Sequence, residues 1–272
     1  MKHKNYENNN NKNNNNLEID MKELELLQQQ FIGCIFILLS DIIAFSSLSQ
    51  IIILRENNEN NINEYLVLII QAEIFAVISR VIFLNVDFTR YADLYERYEN
   101  GEINFSLEPN IVINIADIYN LINYVYAYLG AIGIYNLNQV ISLSNIELLE
   151  LQVESVFIHL LSDFFLIEST LESIQLVKNR YEVEKIPIQN PDLAAIDFAI
   201  LNHISKILYV NFVFKSYEIT AQNLVERGLE ELLIGNKYMI ISGVSSIVAS
   251  YYILIAVCEI YNRHIVEPVF AV

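Results

Sequence analysis

Helix breakers are scarce in this chain. Seven glycines and four prolines are spread over 272 residues, so few positions force a helix to stop and long uninterrupted helices are expected. The two cysteines, Cys34 and Cys258, lie in separate apolar runs with no CxxC spacing. That excludes a disulfide framework and a thiolate zinc site. Positive charge is also in short supply, with 16 Lys and Arg against 33 Asp and Glu and a formal net charge of −17. Nucleic-acid binding needs basic groups in excess to neutralise phosphate, so no nucleic-acid partner is expected, and a polybasic membrane-surface role is disfavoured for the same reason.

Catalytic signatures are missing as well. HExxH, a glycine-rich phosphate loop and a GxSxG elbow do not occur. None of His159, His203 and His264 has a glutamate three residues before it, the pattern a di-iron bundle uses. The sequence therefore assigns no catalytic residue, no cofactor and no metal ligand, and it leans away from an enzyme.

What the chain has is apolar mass. Hydrophobic residues make up 54% and charged residues 18%, and the mean hydropathy is +0.34. Ordinary soluble domains run at roughly 45–50% apolar and about 25% charged. The first thirty residues pull against that trend. "YENNNNKNNNN", Tyr6 to Asn16, is low complexity, and residues 1–30 are expected to form a disordered Asn-rich tail.

Six apolar segments follow, at about 31–54, 65–85, 111–134, 151–177, 192–214 and 238–258. Each reaches the ~20 residues that a bilayer core asks of a helix. The last, "YMIISGVSSIVASYYILIAVC", is the clearest, with no ionisable group before its final cysteine. The second carries Glu73 and Arg80. Two such charges cost ~5–7 kcal/mol at a helix centre against ~0.3–0.6 gained per large apolar residue, so it inserts with help from its neighbours. The fourth segment is more polar still.

Loop charge gives an independent reading of topology. With the tail inside, the inner loops hold Lys2, Lys4, Lys12, Lys22, Arg90, Arg97, Lys178, Arg180, Lys185 and Arg263. The outer loops hold Arg55, Arg227 and Lys237, with Lys215 at a boundary. That asymmetry is the positive-inside pattern for six spans with both termini cytoplasmic. The expected fold is all-α: a polytopic transmembrane bundle of about six spans, with long helices extending into the cytoplasm. The expected location is the plasma membrane of a bacterium.

Polar residues inside the spans follow helical spacing. Ser155, His159, Ser162 and Asp163 sit at i, i+4, i+7 and i+8 and share one stripe. With Asp41, Glu73, Arg80, Asp117, Asp197, His203 and Lys206 they are expected to form an intramembrane polar seam. The last segment offers Ser242, Ser246 and Ser250, a small-xxx-small spacing that lets helices pack closely.

A seam of this kind is either glue between helices or a path for an ion, proton or solute. Carriers typically show helices broken by Gly or Pro at matching places in two halves. Here all four prolines lie outside the segments, Gly130 and Gly133 are the one candidate break, and no repeat is read between the first three segments and the last three. A structural or interaction role in a membrane complex is therefore favoured, with the lipid bilayer and a homo-oligomeric or complex partner as its surroundings. The alternatives are a small transporter or ion- or proton-conducting protein using the seam, and a soluble acidic helical bundle.

Overall fold

The computed structural model describes the backbone of residues 2–59, 61–140, 145–181 and 186–266, with side chains from residue 17 to 265 of these. Among the described residues the chain is all-α: α1 (Lys2–Glu56), α2 (Asn63–Glu99), α3 (Glu108–Asn138), α4 (Ile146–Asn179), α5 (Pro191–Val225) and α6 (Ile234–Val266). A short 3-10 turn, Glu230–Leu233, precedes α6. The boundaries have local causes. Asn145 and Asn190 cap α4 and α5 by accepting from the backbone N–H of Leu148 and Asp192, and Pro191 opens α5 at the position where its missing N–H costs nothing. Gly101 and Gly228 follow α2 and α5 with φ of +72° and +67°, the left-handed conformation glycine supplies at a helix end.

Two expectations need correcting. Residues 17–30 belong to α1 and pack: Leu26 and Leu27 are buried, and Asp20 pairs with Arg180. "LEIDMKELELLQQQ" is made almost wholly of good helix formers, so it carries α1 on below the apolar segment. Gly130 and Gly133 do not break α3, which runs through both. A Cβ on Gly133 would lie 2.3 Å from the Cα of Gly235, and one on Gly130 would lie 2.5 Å from the Met239 sulfur. These glycines are where α3 and α6 touch backbone to backbone.

The helices close into a ring. α1 packs on α2 and α4, α3 on α2 and α6, and α5 on α4 and α6. The ring is apolar outside and polar within. Ile35, Leu39 and Ile42 of α1, Ile111, Ile115 and Ile118 of α3, and Ile200, Ile204 and Ile207 of α5 are exposed. Asn114, Asn120 and Asn123 of α3 and Ser155, Ser162, Ser169 and Thr170 of α4 are buried. Four helical stretches are long and apolar enough to cross a membrane: Leu17–Glu56, Asn63–Glu99, Pro191–Val225 and Glu230–Ile265. α3 and α4 fall short by composition, α3 through its asparagines and α4 through Glu154, Asp163 and Glu168. The asparagines that lower α3 face the interior.

The ring also exposes an internal repeat. Leu38-Leu39-Ser40-Asp41 in α1 recurs as Leu160-Leu161-Ser162-Asp163 in α4. Ile78-Ser79-Arg80 in α2 recurs as Ile204-Ser205-Lys206 in α5, followed at equal spacing by Asn85 and Asn211, Phe88 and Phe214, and Tyr91 and Tyr217. Ile134-Tyr135-Asn136 late in α3 recurs as Ile260-Tyr261-Asn262 late in α6. The shared residues make the same bond: Ser79 Oγ donates to the Gly33 carbonyl at 2.8 Å, and Ser205 Oγ donates to the Ser155 carbonyl at 2.9 Å. Gly33 and Ser155 are themselves matching positions, eight residues before Asp41 and Asp163.

Helix direction alternates along the chain, so each matched pair runs in opposite senses. The pattern of helix neighbours is unchanged when α1 is exchanged with α4, α2 with α5 and α3 with α6. Where no repeat was expected, the matching islands and this exchange together have the pattern of an inverted three-helix repeat.

Candidate functional site: a polar centre between two cavities

The two matching tetrads meet at the middle of the ring. Asp41 of α1 and His159 of α4 are hydrogen-bonded through the His159 Nδ1–H and the Asp41 carboxylate. Asp163, one turn along from His159, completes a cluster whose ligating atoms lie within 4.8 Å of one another. Across the bundle, Arg80 lies over the rings of Tyr124 and Phe83 at 5.0 and 5.3 Å, a cation–π contact. Lys206 donates to the Tyr124 hydroxyl at 3.4 Å, reaching from α5 to α3 through the interior. Acids therefore gather at the α1–α4 seam, and the two bases are drawn to Tyr124.

Burial at this centre is nearly complete. Asp163 is 1% exposed, His159 3% and Arg80 5%. Buried polar groups normally find a partner, because an unpaired one costs about 1–3 kcal/mol. Here neither carboxylate oxygen of Asp163 receives a donor, its near neighbour being the Asp41 carboxyl, and Nε2 of His159 has no partner among the described residues. One oxygen each of Glu73 and Asp117 is likewise unpaired.

Two cavities flank the centre. A wide one of about 390 Å3 lies among the later turns of α1, α3 and α5 and the early turns of α2, α4 and α6, with Glu73 in its wall. A narrow one of about 120 Å3 lies at the opposite end, lined by Arg80, Asp87, Arg90 and Asp117. Matching positions line both: Gln152 and Gln30, Asn236 and Asn110, Ser216 and Arg90, Leu66 and Asp192, Ala131 and Val257. Asp41, Tyr124, His159, Asp163 and Lys206 line neither and separate the two.

The expected seam divides under this geometry. Asp41, Arg80, His159, Asp163 and Lys206 come together, and Glu73 and Asp117 each line one cavity. Asp197 does not join them: its side chain is exposed on the outer face of α5, because it sits off the stripe that carries Asn202, Ser205 and Lys206. His203 is half-buried at the α5–α6 interface, sharing a hydrogen bond of 2.9 Å with Ser250. Ser242, Ser246 and Ser250 are all buried, and Ser242 donates to Asn123 of α3 at 2.7 Å while meeting the Tyr209 hydroxyl of α5 at 2.9 Å.

Sequence reasoning missed a second charged cluster. Arg90 pairs with Glu23 at 3.0 Å and Asp87 at 2.8 Å, and donates to Gln30 at 3.1 Å. Burial pushes the Glu23 carboxyl above the usual carboxylate range, and the Arg90 guanidinium pulls against that shift. The signal was available, since Glu23, Glu25 and Leu26 belong to a helical pattern, but the Asn-rich stretch before them masked it.

No known protein family matches the chain, and neither the curated proteins nor the solved structures contain a match.

Proposed function

We propose that the chain is a six-span integral membrane protein that carries a small polar solute or ion by two-sided access. The observation that carries this reading is the pair of cavities: they open from opposite ends, use repeat-equivalent positions, and are separated by a closed polar centre. Inverted repeats around a midplane site are how many secondary transporters exchange an outward-open for an inward-open shape. In an inverted duplication, one conformation shows a wide cavity on one side and a narrow one on the other. Exchanging the conformations of the two repeats yields the opposite state at little cost in energy, because the contacts are of the same kind.

Lipid as the surrounding medium is supported by the inside-out pattern. Every helix turns large apolar side chains outward, whereas soluble monomers rarely expose contiguous apolar patches of more than a few hundred Å2. Asp197, nine residues from Lys206, stands about 13 Å from the centre at 1.5 Å per residue, near the edge of a ~30 Å hydrocarbon core. The loop charges favour the narrow-cavity end as cytoplasmic, where Arg90, Arg97 and Arg180 cluster with Lys22. A purely structural role rests on the absence of a repeat, and the paired motifs remove that support.

The test uses single cysteines at a matched pair of cavity positions, Ala131→Cys and Val257→Cys, in a Cys34→Ala/Cys258→Ser background. In intact cells an impermeant thiol reagent should modify position 131, and position 257 should react only from the cytoplasmic side. A bulky adduct that holds the wide cavity open at 131 should slow modification at 257 at least fivefold. Reaction at the two positions with no mutual influence overturns two-sided access. Recovery of the chain from membranes by alkaline carbonate overturns the membrane assignment.

A further inference from the structure

The structure assigns a cation site to the Asp41–His159–Asp163 cluster, and we infer that it takes a divalent transition-metal ion. The inference rests on the carrier reading for its purpose, since it names the substrate class, but its chemistry stands on the cluster alone.

Three observations converge. The ligating atoms of two carboxylates and one imidazole lie within 4.8 Å of one another, with all three residues buried. A mixed carboxylate and imidazole set suits Mn2+, Fe2+ or Zn2+, whereas Mg2+ and Ca2+ prefer oxygen alone. Next, neither Asp163 oxygen receives a donor, although the residue is 1% exposed, and the His159 Nε2 is also without a partner among the described residues. The His159 Nδ1 faces the Asp41 carboxylate, and in the neutral ring one of the two nitrogens keeps a lone pair for a cation.

Charge balance is the third observation. Asp41, Glu73, Asp87, Asp117, Asp163 and Asp192 line the centre and its two cavities against Arg80, Arg90, Lys206 and Arg227. Six acids against four bases leave a formal deficit of two that a divalent cation cancels. Arg80 and Lys206 lean on Tyr124 of α3, which packs beside Ile37 of α1, and they stand within electrostatic reach of Asp41 and Asp163. The two carboxylates themselves come from α1 and α4. Glu73 in one cavity and Asp117 in the other give an ion a carboxylate to meet on each side.

The experiment is metal binding by untagged full-length protein in detergent, by equilibrium dialysis and calorimetry with Mn2+ and with Zn2+, supported by the absorption of Co2+. The wild-type chain should bind one ion saturably, with Co2+ bands typical of nitrogen and oxygen ligands. Asp163→Asn and His159→Gln should each weaken binding at least tenfold, whereas Asp197→Asn and Cys258→Ser should leave it unchanged. Elution volume and helical content separate lost ligands from lost fold, and should Asp163→Asn not fold, Asp163→Glu tests the same position. Binding that survives both ligand variants in folded protein, or no saturable binding by the wild type, overturns the site. A pH change in proteoliposomes without metal dependence also overturns it, in favour of the proton as the cation. These failures differ from failure of the carrier reading, in which cysteine accessibility at 131 and 257 is uncoupled while the metal still binds.

Discussion

In α1–α3 the faces turned to the interior carry Asp41, Glu73, Arg80 and Asp117; at the matching positions α4–α6 carry Asp163, Ala199, Lys206 and Gly243. The imidazole has the reverse distribution, with His159 in the second half matched by Ile37 in the first. Among the shared residues are the two serines that bond across α1–α2 and α4–α5, the two acids at the α1–α4 seam and the two bases. Both cavities also share a glutamine and an asparagine, and they differ in their charged groups. Of the cavity carboxylates, Glu73, Asp87 and Asp117 come from the first half and Asp192 from the second, which also contributes the histidine. The comparison therefore separates a frame present in both halves from chemistry, such as the His159 imidazole, that one half carries.

The largest way to break the comparison is at the α3–α6 crossing. Gly133 approaches Gly235 at backbone distance, but the position matching Gly133 is Glu259, which is exposed. Gly133→Val has no side chain to displace and must push two helices apart. Overpacking of a core costs about 1–3 kcal/mol even where side chains can yield, so this variant should exceed that range and fail to accumulate in membranes. Glu259→Val should accumulate as the parent does. Equal yields of the two variants, read by quantitative blotting of membrane fractions, would show that the crossing is looser than described.

Next in size is the pair of bases. Removing one member of a buried charge set typically costs about 3–5 kcal/mol, because its partners stay behind uncompensated. Arg80→Met and Lys206→Met should both lower the unfolding temperature in detergent. Arg80→Met should lower it more, since Arg80 stacks on both Phe83 and Tyr124, whereas Lys206 lies over the ring of Tyr124. The exchange Arg80→Lys with Lys206→Arg should recover most of the loss if the two positions are equivalents. No recovery by the exchange would restrict their likeness to charge.

Much of the fold is legible from the residues: the six segments, their order and the caps at Asn145 and Asn190 follow from apolar length and helix-start chemistry. The seam is legible only as a set of stripes. Periodicity tells which residues share a face of one helix, and it placed His159 with Asp163, but it carries no information on which helices become neighbours. Asp41 and His159 meet because α1 packs on α4, a contact with a separation of more than a hundred residues. Outward-facing positions hold Ile, Leu, Val and Phe in both halves without matching one to one, so the matches are confined to short islands such as Leu38–Asp41 and Leu160–Asp163. The longer α4–α5 connection then shifts the register between the first pair of helices and the second. Once contacts identify the partners, the islands line up.

The finest test of equivalence is the serine bond that both halves make. A hydrogen bond between membrane helices is worth about 0.6 kcal/mol on average and up to ~1.7. Ser79→Ala removes one, from Ser79 Oγ to the Gly33 carbonyl. Ser205→Ala removes the matching bond and also the hydroxyl that meets Ser155 Oγ at 3.5 Å. The loss at position 205 should therefore be the larger, while the return bond from Ser155 to the Ser205 carbonyl at 3.0 Å persists because it uses backbone. The two sites lie at different helix interfaces and share no partner, so the double variant should show the sum of the single effects to within a few tenths of a kcal/mol. Strong coupling between them, read by the same unfolding measurement, would mean that the two halves respond as one rigid unit, which would count against independent exchange of their conformations.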